Sequence, residues 1–184
     1  MKDCIYCLGD SNTFGFDPGS FLGEPYEKPW PKVLEALTGC PVYNDGINGR
    51  TLADVLCSYP LLKKQLQEKQ PGRLILLLGS NDLLLGDFQT PQPVAEQMER
   101  LVKTLREDFK TLPILLLSPP DIRIPGPYRP LVKALGPCYQ AVAERYQADF
   151  LNLSACDLPL SYDGVHFTEE GHRLLGHMLY TKLK

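Results

Sequence analysis

The chain has 184 residues, of which 43% are apolar and 22% charged, an ordinary composition for a globular domain. Its 15 glycines and 17 prolines stay below the share of roughly 25–30% that marks low-complexity disorder. The formal net charge is −3, and Lys and Arg are scattered, so we expect no nucleic-acid partner.

No apolar run approaches the 18 or more residues of a membrane span, and we expect no membrane association. The first residues, Met1-Lys2-Asp3, lead straight into a strand-like run rather than a secretory leader. We therefore expect a cytoplasmic protein with one domain over residues 1–184.

Strand-like and helix-like segments alternate along the chain. The predicted strands are residues 3–8, 42–44, 73–78, 113–118 and 149–152. The predicted helices are residues 30–37, 51–67, 93–109, 131–146 and 168–183. Prolines at 60 and 137 should break or kink the second and fourth helices. This alternation predicts an α/β fold with a parallel sheet between two layers of helices.

A parallel sheet binds its ligands beyond the carboxyl ends of the strands, so chemistry should follow residues 8, 45, 78, 118 and 152. The first of these places reads Gly9-Asp10-Ser11-Asn12. A serine in this turn exposes its hydroxyl at the rim of the sheet, and its N–H can face a developing oxyanion. Taken alone, such a serine is more often a helix cap.

The second and third places are residues 44–51 and 79–82, which carry glycines beside Asn81. Glycine lets the backbone approach a ligand closely, and an Asn amide is a neutral donor suited to an alkoxide. Tight turns and helix caps are the alternative interpretation of both segments.

The fifth place contains Asp163-Gly164-Val165-His166. A carboxylate three residues before an imidazole can orient the ring through one nitrogen and leave the other free as a general base. His172 and His177 lie on the last predicted helix without an acidic partner at comparable spacing, so we expect structural or surface roles for them.

A nucleophile, oxyanion donors and an Asp/His pair thus fall at one predicted edge of the sheet. Together they resemble the SGNH hydrolases, the superfamily of GDSL-type esterases and lipases. The matching blocks are residues 9–11 (Gly-Asp-Ser), Gly49, residues 79–82 (Gly-Ser-Asn-Asp) and residues 163–166 (Asp-Gly-Val-His). The resemblance runs in order from residue 5 to about residue 176.

The resemblance implies a three-layer α/β/α sandwich whose five-stranded parallel sheet has the flavodoxin-like order 2-1-3-4-5. It implies that Ser11 is the nucleophile, that His166 takes its proton, and that Asp163 orients His166. The oxyanion hole would consist of the N–H groups of Ser11 and Gly49 and the side chain of Asn81. Asp10 and Asp82 match positions that are more often structural than catalytic.

The sequence departs from the family pattern at one position and leaves a second position ambiguous. Asn12 stands where many members have Leu, which should affect the packing of the nucleophile turn but removes no catalytic group. Both Gly46 and Gly49 lie in the second block, and we favour Gly49 because Arg50-Thr51 follows it.

Residues 116–120 (Leu-Leu-Ser-Pro-Pro) and 163–168 look most like the branch of intracellular arylesterases and acyltransferases. That branch implies hydrolysis of short acyl esters, above all acetyl esters, through an acyl-enzyme and without a metal or organic cofactor. The partner would be a small-molecule ester, and the oligomeric state stays open. We also expect the proline-rich segment 119–130 to form a stiff wall of the substrate pocket, because proline reduces the entropy that a loop loses on ordering.

Three alternatives remain. A carbohydrate acetylesterase or an acyltransferase would use the same residues, and a catalytically silent binding module could use the same fold. An α/β-hydrolase is disfavoured because the chain has no G-x-S-x-G motif, and a nucleotide-binding module is disfavoured because both phosphate-binding glycine motifs are missing.

Overall fold

The computed structural model of the chain describes residues 4–86 and 90–184. The first predicted strand begins at residue 3, which lies outside this range. One sheet contains five strands, β1 (Ile5–Gly9), β2 (Val42–Gly46), β3 (Arg73–Leu77), β4 (Ile114–Leu117) and β5 (Asp149–Leu151). All neighbouring strands are parallel and their order is β2-β1-β3-β4-β5, which confirms the predicted topology.

Helices connect the strands. They are α1 (Ser11–Phe14), α2 (Trp30–Thr38), α3 (Leu52–Cys57), α4 (Tyr59–Lys69), α5 (Ser80–Leu85), α6 (Gln92–Asp108), α7 (Tyr128–Arg145) and α8 (Glu169–Lys182), with one 3₁₀ turn at Leu153–Ala155. Helices α1 and α5 were not predicted, because segments of four and six residues are too short to show helical periodicity. Within the described residues, every helix is too short or too polar to cross a lipid bilayer.

The sheet has an apolar core on each face, because successive side chains of a strand point to opposite sides. One core joins Leu8, Leu76 and Leu116 to the inner faces of α3, α4, α6 and α7. The other core joins Cys7 and Leu77 to α2 and α8. The strands β3 and β4 are therefore apolar almost throughout, and the predicted three-layer α/β/α sandwich is confirmed.

The two prolines expected to interrupt helices have different effects. At Pro60 the chain does form two helices, with Pro60 in the first turn of α4, where its missing N–H costs nothing. At Pro137 the expected interruption is wrong, because α7 continues through it. The side chains of Leu135 and Tyr139 are fully buried on either side of Pro137, and this packing outweighs the local helix-breaking preference.

A close backbone contact seats α1 on the end of the sheet. Gly46, the last residue of β2, pairs in register with Gly9 of β1. A Cβ atom at Gly46 would lie 2.0 Å from the backbone N of Phe14 and 2.5 Å from its Cα. Only glycine fits here, and its absence of a side chain allows the helix that follows β1 to approach β2.

We expect Gly46→Ala to destabilise the fold by about 1–3 kcal/mol, because the atoms that block its methyl group belong to backbone that cannot rotate away. Urea denaturation would measure the change. Gly19→Ala is the matched control, since there the nearest atom is the end of the flexible Asp17 side chain, 3.2 Å away. Equal midpoints for both variants would contradict the expectation.

Candidate active site

Ser11 begins the short helix α1 directly after β1. The carboxylate of Asp10 caps this helix by accepting the Asn12 N–H at 2.9 Å, and Gly15 ends it with a φ of 95°. The side chain of Ser11 is largely buried. This sharp strand-to-helix turn fixes the Ser11 hydroxyl at the carboxyl edge of the sheet.

Ser11, His166 and Asp163 form one continuous hydrogen-bonded chain. The Ser11 Oγ lies 2.9 Å from His166 Nε2, and the Asp163 Oδ2 lies 2.6 Å from His166 Nδ1. When Asp163 accepts the Nδ1–H, the neutral ring leaves Nε2 as an acceptor for the Ser11 hydroxyl. The structure therefore brings together three residues that lie as much as 155 positions apart in the sequence.

The surroundings of Asp163 favour its ionised form. Burial acts to raise its pKa, but hydrogen bonds from the His166 ring and from the N–H groups of Val165 and His166 outweigh burial and lower the pKa below its ordinary value. The ring of Phe16 packs on the ring of His166, with centroids 4.7 Å apart. Asp163 thus contacts the imidazole at Nδ1, and Phe16 contacts the ring in a tilted arrangement.

The predicted oxyanion donors come from three segments. Neither the Ser11 N–H nor the Gly49 N–H has an acceptor among the residues that the structure describes. Asn81 Nδ2 donates one of its two hydrogens to the Arg50 carbonyl at 3.0 Å, and its second hydrogen has no acceptor in residues 4–86 and 90–184.

The two glycines of the second block have different surroundings. Gly49 is the third residue of a turn closed by the hydrogen bond from Arg50 N–H to Ile47 O, and its φ of +76° requires glycine. Gly46, by contrast, donates its N–H to Asn44 Oδ1 at 3.0 Å. Of the two, only Gly49 has an N–H without an acceptor among the described residues, so it stays the predicted donor.

Arg50, which was not among the predicted site residues, ties the turn of Gly49 to the end of β1. Its guanidinium donates to Gly9 O at 3.1 Å and to the backbone carbonyl of Asp45, and it pairs with Asp45 Oδ1 at 2.7 Å. The Tyr6 hydroxyl donates to the other carboxylate oxygen of Asp45 at 2.8 Å. Because the Arg50 carbonyl also receives the Asn81 amide, one residue joins the ends of β1, β2 and β3.

Asp10 and Asp82 bind backbone N–H groups rather than the Ser11–His166–Asp163 chain. Asp82 accepts the Leu52 N–H with both oxygens, at 3.0 and 3.2 Å, and so fixes the start of α3. Burial raises the pKa of Asp10 to about 7 and the pKa of Asp82 to about 6. Both carboxyl groups have contacts that fit the structural roles expected for them.

His172 is enclosed in the core, and His177 is exposed on α8. Burial lowers the pKa of His172 to about 3, and the nearby His166 adds to this effect. The neutral ring accepts the Trp30 N–H at 3.3 Å and contacts the edges of neighbouring aromatic rings. Neither histidine belongs to the hydrogen-bonded chain of Ser11. In the part of the chain that the structure describes, no group of three or more His, Cys, Asp and Glu side chains could hold a metal ion.

Segments at the carboxyl edge of the sheet carry exposed apolar side chains. These residues, which we call the apolar rim, lie on segments that leave the carboxyl ends of the strands: Phe21, Leu22, Ile47, Leu85 and Tyr162. The Tyr162 hydroxyl donates to Pro18 O at 2.6 Å, and the Arg123 N–H of the proline-rich segment donates to Gly164 O at 2.7 Å. The proline-rich segment therefore contacts the turn of Asp163 and His166, and its role as a pocket wall stays a prediction.

Comparison with known proteins gives one family and several similar structures. The model of the GDSL-like Lipase/Acylhydrolase family matches residues 7–174. The native aryl esterase of M. smegmatis is 25% identical, with a TM-score of 0.82 and 98% of each chain covered. A carbohydrate acetylesterase family member from Sinorhizobium meliloti is 25% identical, with a TM-score of 0.81 and coverage of 98% of this chain and 97% of that one. A search of curated proteins found no match.

We expect the carboxyl group of Asp10 to make stability depend on pH. Its pKa is raised from 3.8 to about 7, so between these values the folded state binds a proton that the unfolded state has lost. Because the unfolded state loses its Asp10 proton first, the free energy of unfolding falls as the pH rises from about 4 to about 7. Asp10→Asn should remove this pH dependence. The variant should therefore become more stable relative to the unmodified chain as the pH rises through that range.

Urea denaturation at several pH values would measure the difference. Asp157→Asn, which removes an equal charge from a fully exposed side chain, is the control and should leave the slope unchanged. Stability curves for Asp10→Asn and the unmodified chain that stay parallel over this range would contradict the expectation.

Proposed function

Because the chain belongs to the GDSL-like lipase/acylhydrolase family, we propose that it is a serine esterase that hydrolyses short acyl esters, above all acetyl esters, through an acyl-enzyme on Ser11. The observation that carries the proposal is the hydrogen-bonded chain of Ser11, His166 and Asp163, with separations of 2.9 and 2.6 Å. A catalytically silent binding module has no need for this chain.

In the first half-reaction, Ser11 Oγ attacks the ester carbonyl while its proton moves to His166 Nε2. Asp163, ionised because its pKa is lowered, stabilises the imidazolium that forms. The tetrahedral intermediate then breaks its bond to the alkoxy oxygen, which leaves as the alcohol with the proton from Nε2. In the second half-reaction, water gives a proton to Nε2 as its oxygen attacks the acyl-enzyme. The second tetrahedral intermediate then breaks its bond to Ser11 Oγ, which takes the proton back from Nε2 as the carboxylic acid leaves.

The negative charge on the carbonyl oxygen needs hydrogen-bond donors that are in place beforehand. The N–H groups of Ser11 and Gly49 and the second amide hydrogen of Asn81 would supply them. Two of these donors are backbone groups, so their positions are set by the fold. Arg50 supports this arrangement because it fixes the turn of Gly49 and the amide of Asn81 at the same time.

The substrate class rests on two observations. The similar structures include one named as an aryl esterase and one as a member of a carbohydrate acetylesterase family. We carry aryl esters over from the first and acetyl esters over from the second. The apolar rim lies on segments that leave the same edge of the sheet as Ser11, and its exposed side chains would suit an apolar alcohol such as a phenol. Deacetylation of sugars is the second candidate, favoured by the carbohydrate acetylesterase, and a parallel assay of p-nitrophenyl acetate and acetylated sugars would separate the two.

We expect Ser11→Ala to lower turnover of p-nitrophenyl acetate by at least about 10³-fold, because no other group would form the acyl-enzyme. A fluorophosphonate should label the unmodified chain at Ser11 and leave the variant unlabelled, as mass spectrometry would show. Ser154→Ala, which removes a hydroxyl that binds Asn152, is the control and should keep full activity and labelling. Retained turnover in a folded Ser11→Ala variant would contradict the proposal.

We expect Asn81→Ala to lower kcat by about 10²–10³-fold with little change in KM, because its amide would bind the oxyanion more strongly than the ester carbonyl. Steady-state kinetics with p-nitrophenyl acetate would measure both constants. Gln140→Ala, which removes an exposed amide on α7, should change neither. A rise in KM at constant kcat would instead place Asn81 in ground-state binding.

A further inference from the structure

Asn12 links the nucleophile helix to the turn that carries His166. Its side chain is buried, with 1% of its surface exposed. Its Nδ2 donates to Val165 O at 3.1 Å, and its Oδ1 accepts the Phe167 N–H at 2.9 Å. The sequence indicates only an effect of Asn12 on packing, and these two hydrogen bonds go beyond that expectation.

The two partners of Asn12 are the residues on either side of His166. One amide group therefore holds the backbone both before and after the imidazole, while its own neighbour Ser11 contacts the ring. Among the described residues, the only other hydrogen bond between α1 and residues 163–167 is the contact of Ser11 Oγ with His166 Nε2. The separation of these two atoms thus depends on Asn12 for its polar support.

The chemistry of the side chain fits this task narrowly. The hydrogen bonds to Val165 and Phe167 need one donor and one acceptor on a short, planar group, and asparagine offers both. An ionised aspartate has the same shape, but it cannot donate to the Val165 carbonyl. Leucine fills a similar volume but leaves the Val165 carbonyl and the Phe167 N–H without partners in a buried site, which costs free energy.

We propose that Asn12 is a positioning residue that sets the distance and angle between the Ser11 hydroxyl and His166 Nε2. It touches neither the substrate nor the reacting atoms, and it acts through the backbone on both sides of His166. The inference rests on the proposed esterase function. A displacement of about 1 Å between reacting groups can cost about 10²-fold in rate, so loss of the Asn12 hydrogen bonds should lower kcat.

The test compares Asn12→Leu and Asn12→Asp with a control that removes hydrogen bonds far from the site. Arg106→Met is that control, because Arg106 donates to the carbonyls of Leu112, Tyr146 and Gln147 at the opposite edge of the sheet. Both Asn12 variants should lower kcat for p-nitrophenyl acetate by about 10–10²-fold with KM within about twofold. Arg106→Met should lower the urea midpoint but keep kcat within about twofold. Asn12→Asp keeps the bond from the Phe167 N–H and serves if Asn12→Leu does not fold.

A second measurement does not depend on turnover. The His166 Nδ1–H that bonds Asp163 should give a sharp, far-downfield proton resonance in the unmodified chain and in Arg106→Met. In both Asn12 variants this resonance should broaden or vanish, because the ring samples more positions.

The two measurements keep the two proposals apart. If the unmodified chain hydrolyses esters and both Asn12 variants keep its kcat, the positioning role is wrong and the esterase function stands. If the unmodified chain hydrolyses no ester, the esterase function is wrong and the resonance decides the positioning role. An unchanged resonance in both variants would then overturn it.

Discussion

All five strands run in the same direction, so the segments that follow them leave the sheet at one edge. This constraint places Ser11, Gly49 and Asn81 close together, because β1 lies between β2 and β3 and each of these residues follows one of those strands. His166 is in a different position. It follows β5, which two strands separate from β1, so residues 152–165 must cross the edge of the sheet to reach Ser11.

That crossing is held by contacts rather than by the sheet. The bridge between Leu160 and Phe167 closes the turn that carries Asp163 and His166. Tyr162 then binds the backbone of Pro18, and Asn12 binds the backbone on both sides of His166. The geometry of the predicted nucleophile and base thus depends on a few side-chain contacts between distant segments, whereas the predicted oxyanion donors depend on strand order.

Much of the fold and of the candidate site could be predicted from the sequence. The apolar runs at residues 73–78 and 113–118 indicate buried strands, and the strand order followed from the family resemblance. The hydrogen-bonded chain of Ser11, His166 and Asp163 joins residues that the sequence motifs indicate, although their chemical roles stay predictions. The hydrogen bonds that Asn12 makes on both sides of His166 were not predicted, and neither was the link of Arg50 to Gly9 and Asn81. These partners lie far away in the sequence, and local periodicity does not indicate such contacts. The continuity of α7 through Pro137 was not predicted either, because it depends on the burial of Leu135 and Tyr139 and not on local helix preference.

The amide of Asn81 has a further consequence. Its two ends differ by a half-turn about the last side-chain bond, and in an unconstrained asparagine they can exchange. The Arg50 carbonyl accepts only the nitrogen end, because the oxygen end would face another oxygen. The Asn81 amide therefore keeps its nitrogen on the side of the Arg50 carbonyl before an ester binds. No rotation of the amide would have to accompany the development of negative charge on the ester carbonyl oxygen.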